Sequence, residues 1–239
     1  MEQNKQRIVV KVGTSTLTHN SGALDLWSME HLVRTLADLQ GMGHEVILVS
    51  SGAIAVGTAK LGLSERPKEL RMKQAAAAVG QCRMMHIYDK FFSEYNRSMA
   101  QILLTGDDVE DPERAEHLSN TFSALLEMGV IPVVNENDSV SSAEIETGRH
   151  KVLGDNDTLS AIVAELCRAD LLVLLSDIDG LYDADPKTHP EAKLLHQVTE
   201  LTPEILEMAG GAGSWRGTGG MATKLSAARI AMEAGCDMV

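Results

Sequence analysis

The sequence predicts an α/β fold in which a mainly parallel sheet is covered by helices on both faces, and three observations carry that expectation. Short apolar, β-branched runs recur at Ile8–Val12, Val46–Val49, Ile102–Leu104, Val130–Val134 and Leu171–Leu175, with a further start at Met238–Val239. Such runs read as strands buried on both sides. Between them lie stretches whose apolar residues fall three or four apart, which gathers them on one helical face. Strand and helix alternate along most of the chain, as a parallel sheet requires, because each crossover needs a covering helix.

Taken in order, Ile8–Val12 runs into the small-residue turn Gly13-Thr14-Ser15, and Met29, Leu32, Val33 and Leu36 mark the first long helix. Val46–Val49 passes through Ser50-Ser51-Gly52 into the next helix. Asp111 before Pro112 is an N-cap followed by a proline at the first helical position, and Leu118, Phe122, Leu125 and Leu126 form that helix's apolar face. Gly129 stands where a glycine ends a helix, so the chain leads directly into Val130–Val134. Asn135–Asp138 then follows that strand, and Gly154–Asp157 opens a helix bearing Leu159, Ile162, Val163 and Leu166. The long Ser176–Thr199 segment predicts a small hairpin or flap. No repeat, low-complexity tract or linker divides the sequence, so one domain over residues 1–239 is expected. Truncation at the C-terminus is a further expectation, because Val239 falls where a strand has only begun.

Composition narrows the function. With 44% hydrophobic and 23% charged residues over 239 positions, the chain can bury a sizeable core. Its 21 Lys plus Arg against 34 Asp plus Glu give a net charge of −13, which argues against nucleic acid or an anionic membrane as partners. An anionic ligand therefore needs a local positive site. Three cysteines without a C-x-x-C pair fit neither a disulfide framework nor a zinc site, and a reducing cytoplasm is the expected compartment. Eight histidines are scattered without a two-histidine motif, so no metal ligands are assigned. No apolar run approaches the roughly 20 residues needed to span a bilayer, and Met1–Arg7 lacks a secretory apolar region.

Four segments carry candidate chemistry. In Val9-Val10-Lys11-Val12-Gly13-Thr14-Ser15 a lysine near a strand's end precedes a turn whose backbone N–H groups suit phosphate oxygens, although a lysine capping a strand is also an ordinary solvated edge. Val49-Ser50-Ser51-Gly52-Ala53-Ile54 lets a substrate approach a helix N-terminus, or is a tight βα turn. The Asp and Asn residues at Asn135–Asp138 and Asp155–Asp157 could form one cluster that holds a substrate ammonium and orients lysines, while Asp155 or Asn156 alone is an ordinary cap. Gly217-Thr218-Gly219-Gly220-Met221-Ala222-Thr223-Lys224 permits close backbone approach, and Lys224 could follow a moving phosphoryl group. It departs from a Walker A loop because Leu225 follows the lysine. It also fits a loose dinucleotide fingerprint, but no clear strand leads into it and too little chain follows for the acidic ribose partner. Ser176-Asp177 follows a strand and could contact a nucleotide; a plain turn is the other reading.

Together, Lys11-Val-Gly-Thr-Ser, Ser51-Gly-Ala-Ile, Asn135-Glu-Asn-Asp138, Asp155-Asn156-Asp157, Ser176-Asp177 and Thr218-Gly219-Gly220-Met221-Ala222-Thr223-Lys224 closely resemble the amino-acid kinase family, in its glutamate-phosphorylating branch. The similarity runs in order over nearly the whole chain. It implies a three-layer αβα sandwich and ATP-dependent phosphorylation of the L-glutamate γ-carboxylate, with ATP and Mg2+ required. By similarity, Lys11, Lys224 and Thr218–Lys224 hold the ATP phosphates, and Ser176 and Asp177 lie on the nucleotide side. Ser51, Asn135, Asp138, Asp155 and Asn156 match the glutamate side, and Asp157 matches the carboxylate that organises the catalytic lysines. The resemblance further implies proline as a feedback inhibitor and a homodimer or homotetramer. Three departures stand out: the stretch around Glu146–Leu153 is longer than the family pattern, Gly106 stands where an arginine is usual, and the 239 residues are expected to lack the final sheet segment and the C-terminal PUA domain of longer members. The nearest alternatives are a family member with another carboxylate or phosphate acceptor, and a catalytically silent ligand-sensing module on the same scaffold.

Overall fold

The computed structural model describes residues 5–140, 155–208 and 220–239. Its elements are β1 (Arg7–Val12), α1 (Thr14–Leu17), α2 (Leu26–Gly41), β2 (Glu45–Ser50), α3 (Ala53–Lys60), α4 (Leu70–Glu94), β3 (Met99–Leu104), α5 (Gly106–Glu110), α6 (Pro112–Glu127), β4 (Ile131–Glu136), α7 (Asn156–Cys167), β5 (Leu171–Leu175), α8 (Pro203–Met208), α9 (Met221–Glu233) and β6 (Asp237–Met238). The strands form one six-stranded sheet in the order β3-β4-β2-β1-β5-β6, and every pair is parallel.

Side-chain alternation along the central strands splits the core in two. On β1, Ile8, Val10 and Val12 pack with Met29, Val33 and Leu36 of α2 and with Met84 and Tyr88 of α4, whereas Val9 faces the other way. On β2, Val46 and Leu48 join the first cluster, while Ile47 and Val49 join Phe122 of α6, Leu159 and Val163 of α7 and Ala227 of α9. The period of two thus places α2, α3 and α4 on one face, and α6, α7 and α9 on the other. Burying each such aliphatic side chain contributes about 1.5–3 kcal/mol. Crossovers that step toward β3 use the first face and those that step toward β6 use the second, as one handedness of connection demands.

The expected strands are present with shifted ends, and each shift has a cause. Val130 lies in the turn that closes α6 rather than in β4: its N–H donates to Leu125 O at 2.9 Å, and Gly129 takes φ +71° there. At its other end β4 runs on through Asn135 and Glu136, because β3 pairs Leu103 with Asn135 and Leu104 with Glu136. These two polar residues therefore lie within the strand rather than after it. β3 likewise begins at Met99, and β6 is Asp237–Met238. The cap at Asp111 accepts from the N–H groups of Glu113 and Arg114 at 3.0 Å. Within Ser176–Thr199, Tyr182 and Leu194 form an antiparallel bridge, which is the expected small hairpin.

Between β2 and β3 the chain makes two helices, and α3 crosses α4 backbone to backbone. A Cβ on Gly57 would stand 1.7 Å from Ala76 O, and one on Gly80 1.8 Å from Ala53 O. Only two glycines allow this approach. It brings the buried side of α4 up to the carboxyl ends of β2 and β4.

Candidate active site

Strand parity decides which side of the sheet each polar residue serves. Lys11 shares its parity with Val9 and so points to the face covered by α7 and α9. There its Nζ lies 2.7 Å from Asp157 Oδ1. Lys224, in the first turn of α9, places its Nζ 3.1 Å from Asp157 Oδ2. Thr223 Oγ1 donates to the same oxygen at 3.1 Å. Asp157 is 4% exposed. Burial would raise its carboxyl pKa, but the Lys11 and Lys224 ammoniums outweigh that and hold the group below the usual carboxylate range.

Helix-end chemistry supports this arrangement. Asp155 is the N-cap of α7, its Oδ1 accepting from the N–H of Asp157 at 2.7 Å and of Thr158 at 2.9 Å, so the ordinary capping role applies to it. Gly220 precedes α9 at φ +117°, a conformation that side chains disfavour. Met221 and Ala222 follow it in the first turn. Thr218 and Gly219 lie outside the described residues, as does the Glu146–Leu153 stretch. Ser176 and Asp177 follow β5, the neighbour of β1, and are exposed.

On the opposite face a second set of polar groups forms a relay. Ser50 shares its parity with Leu48 and meets Tyr88 of α4, the two hydroxyls 2.9 Å apart. Ser51 Oγ donates to Val12 O at 3.0 Å, which ties the start of α3 to the end of β1. Asn156 Nδ2 donates to Ser50 O at 3.1 Å and to Asn135 Oδ1 at 3.2 Å. Asn135 Nδ2 in turn donates to Gln81 Oε1 at 3.0 Å. Asp138 lies beyond the end of β4, where burial and then the Glu136 charge raise its carboxyl pKa to about 6, against a smaller opposing effect of Arg66.

Gln81 and Tyr88 were not among the residues expected from sequence. The available signal was an amide and a phenol inside the buried stripe Ala77, Gly80, Met84 and Met85 of α4. A polar group there needs a partner, and the strand ends supply it. The structure therefore brings Lys11, Asp157, Thr223 and Lys224 together on one side of the strand ends. Ser51, Asn135, Asn156 and Asp138 gather at the ends of β2 and β4.

A parallel sheet whose central strands end beside two ammonium groups tied to one carboxylate, one of them on a helix entered through glycine, defines a phosphate-handling α/β protein. The sequence pattern of the Amino acid kinase family matches residues 6–239, and the chain belongs to that family. It is 56% identical over 237 residues to the glutamate 5-kinase of Clostridium perfringens, covering 99% of this chain and 87% of that protein. To the glutamate 5-kinase of Carboxydothermus hydrogenoformans it is 56% identical over 238 residues, covering 99% of this chain and 62% of that one. Among solved structures, carbamate kinase from Giardia lamblia bound to AMP-PNP superposes with a TM-score of 0.64 at 15% identity, covering 100% of this chain and 92% of that one. UMP kinase from Ureaplasma parvum gives 0.60 at 15% identity, covering 99% and 89%. At that identity the likeness is one of fold. Among the described residues, no helix is long and apolar enough to cross a membrane.

Proposed function

We propose that this chain transfers the γ-phosphoryl group of ATP to the γ-carboxylate of L-glutamate, yielding L-glutamyl 5-phosphate, a precursor for proline synthesis. The observation that carries the reading is the convergence of Lys11 and Lys224 on the two oxygens of Asp157. Its support from relatives is their identity over nearly the whole chain.

The chemistry explains why lysines rather than a base are needed. A glutamate side chain has a pKa of about 4.3 and is already ionised near neutral pH, so no proton need leave it before attack. A γ-carboxylate oxygen forms a bond to the γ-phosphorus as the bond from that phosphorus to the β,γ-bridging oxygen breaks, and ADP leaves with the electron pair. The barrier lies in bringing anions together and aligning them. Lys11 and Lys224 offset that charge, and Asp157, kept ionised, fixes both ammoniums instead of accepting a proton.

In this reading Thr218, Gly219, Gly220, Met221, Ala222 and Thr223 line the ATP phosphates beside Lys224, with Ser176 and Asp177 on the nucleotide side. Ser51, Asn135, Asp138, Asp155 and Asn156 serve the amino acid, with Asp138 toward its ammonium. Magnesium, where ATP carries it, would offset charge on the phosphate oxygens beside Lys11 and Lys224. Among the described residues no group of three or more His, Cys, Asp or Glu side chains forms a dedicated cage. An ion carried on phosphate oxygens would need only one or two protein carboxylates. Homodimer or homotetramer formation and inhibition by proline belong to the proposal through the family resemblance. Sedimentation and activity measured with and without proline test both.

The decisive assay is ATP-dependent hydroxamate formation from glutamate and hydroxylamine, which traps the acyl phosphate. Glutamate is expected to outperform aspartate, N-acetylglutamate and nucleoside monophosphates. Preference for another acceptor, or no turnover by a chain that still binds ATP, would overturn the proposal.

A further inference from the structure

The polarity of the amide relay is set by a group that cannot flip. Ser50 O is a backbone carbonyl and can only accept, so the Asn156 amide must turn its Nδ2 toward it. The same Nδ2 donates to Asn135, which fixes Asn135 Oδ1 inward and leaves its Nδ2 for Gln81 Oε1. Gln81 is thereby compelled to present its remaining end, Nε2, as a donor. Gln81 is 7% exposed, and Nε2 has no hydrogen-bond partner among the described residues.

Gln81 lines a small cleft together with Ala53, Ala77, Leu103, Glu136 and Asp138. A buried donor without an acceptor is costly, and one aimed at a ligand space calls for an acceptor brought by the ligand. Asp138 in the same cleft attracts an ammonium, so a zwitterion satisfies both kinds of group at once. The relay also sets the direction. Gln81 stands at one end, while Asn156 at the other adjoins Asp157 and its lysines.

We infer that Gln81 is a specificity-determining residue that donates from Nε2 to the α-carboxylate of the acceptor amino acid, while the side-chain carboxylate extends toward Lys11 and Lys224. This rests on the proposed glutamate chemistry and deepens it. The site recognises a carboxylate at the α position because a backbone carbonyl, acting through the two amides of Asn156 and Asn135, allows Gln81 no other role than donor.

The test is Gln81→Glu, assayed with ATP and either L-glutamate or its α-amide, L-isoglutamine, which retains the reactive γ-carboxylate. The substitution keeps an oxygen for Asn135 Nδ2 but turns the cleft donor into an acceptor. KM for glutamate should rise tenfold to a hundredfold, KM for ATP should stay within twofold, and the preference for glutamate over isoglutamine should shrink or reverse. Gln81→Met, of similar shape and uncharged, covers the case in which Gln81→Glu does not fold. With it, KM for glutamate should rise about tenfold and the preference should flatten. A folded variant of either kind with unchanged KM for glutamate and unchanged preference overturns the inference while leaving the proposed reaction standing. A wild-type chain that forms no hydroxamate from glutamate overturns both.

Discussion

The two faces of the sheet meet the same row of strand ends in opposite electrostatic states. On the α7 and α9 side, the Asp157 carboxylate is held by two ammoniums and a hydroxyl, and the ionic groups are paired before any ligand arrives. On the α4 side, burial and then the Glu136 charge raise the Asp138 carboxyl pKa, and the buried Gln81 Nε2 has no hydrogen-bond partner among the described residues. The contrast separates two tasks. A site that steadies a reacting phosphoryl group benefits from charges fixed in advance. A site that selects a zwitterion gains by leaving groups unmatched until the correct partner supplies both an ammonium and a carboxylate.

The strongest way to break the comparison is to remove the fixed charge. Lys224→Ala should lower kcat by at least two orders of magnitude, about 3 kcal/mol of transition-state stabilisation, because water replaces an oriented ammonium poorly. KM for glutamate should change far less. Near-normal kcat in a folded variant would remove Lys224 from the mechanism. Asp157→Asn should also depress kcat, since the two ammoniums would then face each other without the charge that draws them together.

How much of this was legible in the sequence differs between the faces. Lys11, Asp157 and Lys224 sit in short motifs at a strand end or a helix start, where small and charged residues stand out against apolar runs. The α4 side was harder to read. Hydropathy falls silent where β4 turns polar at Asn135 and Glu136, and only pairing with β3 keeps them in the strand. Gln81 in an alanine-rich helix reads locally as a good helix former, and its role depends on the crossing of α3 over α4. That crossing yields the next test. Gly80→Ala would put a Cβ 1.8 Å from Ala53 O and 2.6 Å from Gly57 N, and backbone atoms cannot swing aside. The helices must part, at a cost of about 3 kcal/mol, or roughly 10 °C in Tm for a chain of this size. The displaced α4 should raise KM for glutamate more than KM for ATP. A variant with unchanged Tm and KM would show that the crossing does not position Gln81.

The smallest effect, and the one that sharpens the comparison most, is the pH response of the acceptor side. Burial and then the Glu136 charge raise the Asp138 pKa to about 6, so its charge is lost in a window where free glutamate titrates little, its side chain lying near 4.3 and its ammonium well above neutral. If ionised Asp138 holds the substrate ammonium, kcat/KM for glutamate should fall up to tenfold per unit below about pH 6. Asp138→Asn should give a lower, flatter profile. Stability should move the other way. The folded carboxyl binds its proton near pH 6 and the unfolded one only near 3.8, so between those values the native state holds the extra proton and stability rises as pH falls. Asp157 has the opposite sign: its pKa is lowered on folding, so its contribution is present above about 3.8 and is lost as acid protonates it in the folded state. Thermal melts of wild type and Asp138→Asn between pH 5 and 8 separate the two. A wild-type Tm that does not rise between pH 7 and 5 relative to the variant would show that Asp138 is not strained, and the contrast between the two faces would lose its acceptor half.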